Sequence, residues 1–288
     1  FIHDQTVRLM NQGKTPGDIA EVLTLPASLQ QAFSSRGYYG TVKHNARAVY
    51  QGYLGWYDAN PAHLDPLPNA ERARGYVALA GGADALISTA REAMNQGNYR
   101  WSAELLNHLV FAQPDHDEAR ELLAASYDQM GYQAESGPWR DVYLTGALEL
   151  RHGTPESGIN IATMRDMLLL TPIENFFDTL AVRLKAEDAE DKQLSVTIHF
   201  TDMNESYRLW IENAVLHHKP LTAADPAADA TLNLTHELFV NILIGEAGLK
   251  DTLFSDDLSV DGSRLDLVRF FSLFEKPVTS FPIVVPAS

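Results

Sequence analysis

Apolar residues recur at helical spacing through the first half of the chain and at strand spacing through part of the second. The pattern predicts a helix over positions 1–11, stopped by Gly13. Thr15-Pro-Gly-Asp18 opens a second helix, with proline early and an acid in the first turn, where the helix dipole favours it. Pro26 ends that helix, and a short third is expected over 27–33. A run dense in tyrosine and glycine follows, from Arg36 to Tyr57. Positions 41–57 of it can be helical, which would set Tyr50, Tyr53 and Tyr57 on one side. Positions 60–68 carry three prolines besides Asn60, His63 and Asp65, and are read as a non-helical crossing. Four more helices are predicted over 83–96, 99–112, 115–130 and 136–151.

Helix pairs joined at Gly97-Asn98, Gln113-Pro114 and Gly131-Tyr132 look like one or two hairpins of the tetratricopeptide kind, too few for a free-standing array. Composition shifts near Gly153-Thr-Pro155. Helices are still expected over 164–170 and 172–184. The period then changes to two, predicting strands over 194–200, 205–212, 213–218 and 230–234, the first two forming a hairpin. Thr235 caps a helix to 244, Leu258-Ser-Val-Asp-Gly262 is a strand and turn, and an apolar helix spans 263–274. The fold class is therefore an all-α N-terminal domain, helical and partly TPR-like, over 1–155, followed by an α+β domain over 156–288. Phe176, Phe177, Phe239, Phe270, Phe271, Phe274 and Phe281 give the second domain many rings. They read either as an ordinary aromatic core or as the wall of a tunnel for a long apolar molecule.

With 288 residues there is room for two cores, and 45% hydrophobic with 21% charged residues is the balance of a soluble globular protein. A net charge of −16 argues against nucleic acid and against anionic membrane surfaces as partners. The absence of cysteine excludes disulfides, thiolate nucleophiles and Cys-type zinc sites, and is compatible with an oxidising compartment. No apolar run approaches the ~20 residues that span a bilayer. Because Phe1 lies within a helical pattern, the chain is expected to be a piece of a longer protein.

Ten histidines prompt a search for metal spacing. None sits in a His-x-His, His-x-x-x-His or His-Glu-x-x-His pattern; His217-His218 would point to opposite faces of a strand, and His116 reads as a helix cap. Neither a Gly-x-Ser-x-Gly elbow nor a phosphate loop is present. Residues alone thus describe an acidic two-domain binding or assembly protein.

Longer runs add a resemblance. Arg36-Gly-Tyr-Tyr-Gly-x-Val-x-His-Asn, Ala-Val-Tyr50-Gln-x-Tyr-Leu-Gly-Trp-Tyr57 and Asn60-Pro-Ala resemble the zinc-dependent alkylsulfatases of the metallo-β-lactamase superfamily. Gly81-Gly-Ala-Asp-Ala85, the run Gly97-x-Tyr-Arg-Trp to Phe111, Ala134-Glu-Ser-Gly-Pro-Trp-Arg140, Tyr143-Leu-Thr-Gly-Ala147 and Glu149-Leu-Arg-His-Gly153 continue it. The resemblance implies a helical dimerisation domain followed by a sterol-carrier-protein-2-like domain. An N-terminal metallo-β-lactamase domain with the His-x-His-x-Asp-His zinc ligands would lie outside this chain.

On that basis the parent reaction is hydrolysis of alkyl sulfate esters, such as dodecyl sulfate, to alcohol and sulfate. Zinc is the cofactor of the full-length enzyme, whereas this chain alone is expected to hold no metal and no catalytic residue. Its expected partners are a second copy, the metallo-β-lactamase domain, and an alkyl sulfate or other long-chain amphiphile. The expected substrate contacts are Tyr50 first, then His44 and Tyr39, then Arg47. A periplasmic or secreted location accords with the resemblance. The alternative is a stand-alone dimeric carrier of fatty or sulfated amphiphiles.

Overall fold

The structure, a computed structural model, describes residues 1–156, 158, 160–248, 252, 258–276, 278 and 280–287. The chain divides into two compact units, one of residues 1–155 with 281–288 and one of residues 156–280.

The first unit is helical: α1 (Ile2–Met10), α2 (Pro16–Val22), α3 (Ala27–Gln30), α4 (Val42–Leu54), α5 (Asn69–Leu79), α6 (Ala83–Asn95), α7 (Tyr99–Ala112), α8 (Asp117–Gln133) and α9 (Gly137–His152). Caps explain most of the boundaries. Thr15 and Asp18 form a reciprocal capping box, and Asn98 and Ser136 side chains accept from backbone N–H groups at the starts of α7 and α9. His116 is a cap, as expected, its Nδ1 accepting from Ala119 N at 3.3 Å, so α8 begins at Asp117 and not at Asp115.

Two expectations require correction. Gly55, at φ +78°, stops α4 at Leu54, so Tyr57 lies outside the helix and does not share the face of Tyr50. Positions 60–68 do contain a helical turn, a short 3-10 segment at Pro61–His63. Proline is tolerated at the first position of a turn, and the Asn60 side chain takes up Ala62 N at 3.0 Å.

A large cluster built on Leu106, Leu109, Leu123 and Leu150 holds α6 to α9 together, with Ala90, Ala103, Ala119, Ala124 and Ala147 letting the backbones approach closely. A smaller one of Leu9, Ile19, Leu23, Ala46 and Tyr50 joins α1, α2 and α4. Glu21 ties α2 to α4 and α7, accepting from Lys43 at 2.9 Å and from Arg100 at 3.0 Å. Those two cations bring its carboxyl down to about 2.

The C-terminal tail completes this unit. Val284 and Val285 pack on the larger cluster, and buried Glu149 accepts from the backbone N–H groups of Ile283 at 2.8 Å and Val284 at 3.0 Å. Gly146 makes the room: a Cβ there would sit 3.3 Å from Val284 Cγ1. Phe281 accordingly belongs to this unit, where it is exposed, rather than to the ring set of the α+β part.

The second unit opens with a 3-10 turn, Ile161–Met164, and α10 (Arg165–Leu168), then α11 (Ile173–Ala181) and α12 (Ala186–Ala189). β1 (Ser195–Phe200), β2 (Glu205–Glu212), β3 (Val215–Pro220) and β4 (Ala230–Leu234) follow, then α13 (His236–Ile244), β5 (Ser259–Gly262) and a final helix, Arg264–Ser272. The sheet order is β3-β2-β1-β4-β5, antiparallel except for the parallel pair β1 and β4. Asn213 and Ala214 adopt φ +53° and +57°, forming the turn that the strand expected at 213–218 had absorbed. Asp229 takes up Ser195 N at 2.7 Å and so aligns the starts of β1 and β4.

Tyr207, Leu209 and Ile211 of β2 and Ala230, Leu232 and Leu234 of β4 alternate inward. Phe177 of α11 and Leu267 and Phe270 of the final helix are fully buried against them. His218 faces this core, 5.5 Å from the Phe177 ring and 2.7 Å from Asp178 Oδ1, whereas His217 stacks on Trp210 on the other face.

Glu149→Ala is expected to cost about 1–3 kcal/mol in denaturant unfolding, because two part-buried backbone hydrogen bonds lose a charged acceptor, while Glu149→Gln keeps an acceptor and loses less. Amide exchange at Ile283 and Val284 should quicken in parallel; an unchanged exchange rate would show that the tail is held otherwise. A second expectation concerns acid. A carboxylate lowered to about 2 stabilises the fold fully above its ordinary value near 4.5 and loses that contribution as pH falls toward 2. The Glu21 side chain is 45% exposed, so solvent screening keeps the gain below ~1 kcal/mol. Glu21→Gln should therefore lower Tm at pH 6 and have almost no effect at pH 2, measured side by side with the unmodified chain.

Candidate functional site

The Tyr/Gly run becomes a stitched loop leading into α4. Gly137 N donates to Tyr38 O at 2.8 Å, Ser136 Oγ donates to Tyr39 O, and Arg36 pairs with Glu135 while its guanidinium lies 5.0 Å over the Tyr38 ring. A Cβ at Gly40 would come within 2.8 Å of Asn45 Oδ1, the tip of an exposed side chain that can turn aside. Thr41 then caps α4 by accepting from His44 N at 3.0 Å.

Along α4, Ala46 and Tyr50 are the sealed positions, one turn apart. Tyr50 is 5% exposed, and its ring belongs to the small cluster with Leu9, Ile19 and Leu23. Its hydroxyl has no hydrogen-bond partner among the described residues, yet it is not among the sealed and unpartnered polar atoms. The phenol thus packs its ring and keeps its tip at the surface. Arg47 is exposed and has neither an ion pair nor a hydrogen bond among the described residues. In this it differs from Lys43 and Arg100, which are both engaged by Glu21.

His44 sits beside Trp139, whose Nε1–H donates to His44 Nδ1 at 3.4 Å with ring centroids 6.4 Å apart. From Trp139 the aromatic contacts run on to Tyr143, 6.4 Å away edge to face, and from there to Tyr127 at 6.2 Å. Burial pushes the Tyr143 phenol up, opposed by the positive charges of Arg100 and Arg47. Tyr127 is pushed up to about 12, first by burial and then by Tyr143 and Glu149. Beside this belt is a small pocket of about 240 Å³ lined by Arg100, Ala103, Glu104, Asn107, Tyr127 and Met130.

Of the four residues singled out from sequence, the fold brings His44 and Arg47 to this belt. Tyr50 lies one helical turn from Arg47 with its ring turned into the core, and the Tyr39 side chain is 82% exposed while its carbonyl anchors the loop. Trp139, Tyr143, Tyr127 and Arg100 were not singled out. Trp139, Arg100 and Tyr143 stand inside the family-like runs, but nothing in their local spacing connects α7, α8 and α9 with α4.

Among the described residues no group of three or more His, Asp or Glu side chains is placed to hold a metal ion. The histidines bonded to acids occur as pairs, such as His63 with Asp58 at 2.7 Å. The donors present in the described residues do not make a zinc site.

Comparison with known proteins accounts for both units. Residues 15–153 match the family model for alkyl sulfatase dimerisation, and residues 162–286 that for the alkyl sulfatase C-terminal domain. The alkyl/aryl-sulfatase BDS1 of Saccharomyces cerevisiae is 46% identical over 286 residues, covering 99% of this chain and 44% of its own length. A linear primary-alkylsulfatase from Pseudomonas sp. is 42% identical, with 99% and 42% covered. The solved stereoselective inverting sec-alkylsulfatase Pisa1 from Pseudomonas sp. aligns with 100% of this chain and 45% of its own at 37% identity, with a TM-score of 0.90. The chain thus spans about half the length of the relatives it matches. An alkyl sulfatase dimerisation domain followed by an alkyl sulfatase C-terminal domain makes up this chain, and it belongs to those alkylsulfatase families.

Proposed function

We propose that this chain is the pairing and substrate-gripping half of a zinc-dependent alkylsulfatase that hydrolyses alkyl sulfate esters to alcohol and sulfate. The observation that carries this reading is the pair of unclaimed donors one turn apart on α4: the Arg47 guanidinium and the Tyr50 hydroxyl. A sulfate ester carries one negative charge over three terminal oxygens and only accepts hydrogen bonds. It calls for donors without competing acids. In a chain of net charge −16 an anionic ester is repelled at long range, so an arginine free of acid partners is where it can settle.

Tyr50 adds a neutral donor. His44 adds a third, because an Nδ1 that accepts from Trp139 leaves the ring proton on Nε2. Tyr39 supplies a further phenol at the exposed rim. The α+β unit, taken by itself, offers the half-buried rings Phe176, Phe239, Phe271 and Phe274 as a proposed apolar contact for a long-chain amphiphile. Each methylene removed from water there contributes about 0.8 kcal/mol.

The water-activating zinc of such an enzyme would need ligands that the described residues do not assemble, so no bond-breaking step is assigned to them. A second copy of the chain is the proposed partner, in keeping with the dimerisation family over residues 15–153.

Titration calorimetry with octyl sulfate, kept below micelle formation, tests the grip. Arg47→Gln and Tyr50→Phe are each expected to weaken binding about tenfold while leaving octanol binding unchanged, since each removes one hydrogen bond to a charged group. Equal losses for octyl sulfate and octanol would assign both residues to packing alone. Release of sulfate by this chain with zinc alone would overturn the division of labour.

A further inference from the structure

His236 opens α13, its backbone N–H donating to Asp202 Oδ1 at 3.0 Å and Oδ2 at 3.1 Å. Its ring turns into phenylalanines: the centroid lies 6.0 Å from Phe200 and 6.4 Å from Phe176, edge to face in both cases. Phe239, one turn further along α13, completes the cage at 5.3 Å from Phe200 and 5.7 Å from Phe176. Nε2 of His236 is sealed inside and makes no hydrogen bond, a condition that only the Thr6 hydroxyl shares among the described residues. A polar atom sealed without a partner is rare in a folded protein, because nothing repays its desolvation.

The orphan nitrogen has a specific need. In a neutral imidazole one nitrogen carries the proton and the other accepts. Nδ1 is not among the sealed atoms, so the proton is best kept there, within reach of water, and Nε2 is left as a bare acceptor. Only a donor can satisfy it. A sulfate monoester, a carboxylate and an ether have no proton to give, whereas an alcohol has one.

Charge points the same way. The cations at this end of the unit are committed, Arg165 to Glu237 and to Asn241 Oδ1 at 3.0 Å, and His218 to Asp178 at 2.7 Å. Asp202 stands at the start of α13, and Glu174 and Glu205 both meet the hydroxyl of Tyr207, whose ring is 6.1 Å from Phe200. Such surroundings repel an anion and admit a neutral molecule, the reverse of those of Arg47 on α4.

We infer that His236 anchors the hydroxyl of a neutral long-chain alcohol in the α+β unit, the class of product that the proposed hydrolysis releases. The inference rests on the reading of the half-buried rings as an apolar contact for a long chain. Phe176 and Phe239 are only partly covered and form the outer wall, so that turning either ring aside opens the way to Nε2. The alcohol O–H then donates to Nε2, while its methylenes lie along the rings.

Titration calorimetry of the full chain at about pH 8, where an imidazole is neutral, compares octanol with heptyl methyl ether, which has the same atoms but no O–H. Octanol should bind about tenfold more tightly, the worth of one hydrogen bond. His236→Phe should abolish that preference, whereas His217→Phe, on the other face of the sheet, should keep it. In the unmodified chain octanol, and not the ether, should move the nitrogen resonance of His236 Nε2 upfield, a readout that stands even if His236→Phe does not fold. Failure of both molecules to bind would remove the apolar-contact reading itself. Equal binding of the two, a preference that survives in His236→Phe, or a resonance that octanol leaves in place would remove the anchor alone.

Discussion

The orientation of α4 depends on one packing constraint, the burial of the Tyr50 ring beside Ala46 against α1 and α2. With these two positions one turn apart sealed in the small cluster, the helical period leaves no freedom of rotation about the axis. Arg47 and His44 must then face outward, and the stitched loop of Tyr38 and Tyr39 sets where the helix begins. A helix rotated by one residue would bury Arg47 without a partner, at a cost of several kcal/mol. Core packing and the exposure of His44 and Arg47 are in this sense one fact: the buried Tyr50 ring also fixes which face of α4 meets solvent.

Glutamates extend the same logic through the helical unit. Glu21 engages Lys43 and Arg100, removing both as free cations and leaving Arg47 as an uncommitted one on α4. Glu149 holds the chain's last residues by their backbone, so that a segment following the α+β unit in sequence finishes the helical unit in space. In the second unit the rings divide by burial. Phe177 and Phe270 are sealed and serve as core, whereas Phe176, Phe239, Phe271 and Phe274 are only partly covered.

Much of the fold was legible because its signals are local. The caps Thr15, Ser136 and Thr235, the alternation of 205–212 and 230–234, and the stop near Gly153 each depend on residues within a turn or two. The misreadings were also local competitions. Gly55 ended a pattern that tyrosine spacing alone would have continued to Tyr57, and Asn60 capped a turn where prolines argued for none. The site was less legible. His44 and Arg47 could be nominated from their run, but Trp139 meets His44, and Tyr143 feels the charge of Arg47, across about a hundred residues, and no periodicity carries either relation.

By itself the sequence determined the succession of helices and strands, the acidic balance and the family-like runs, since each follows from composition or from neighbours along the chain. The tertiary structure alone decided which donors are spent and which remain. Whether Arg47 is paired, whether the Tyr50 hydroxyl is covered, and whether α5 keeps Leu79 in solvent all depend on groups brought close by folding. Burial and ion pairing are properties of distance in space, and a linear pattern does not contain them.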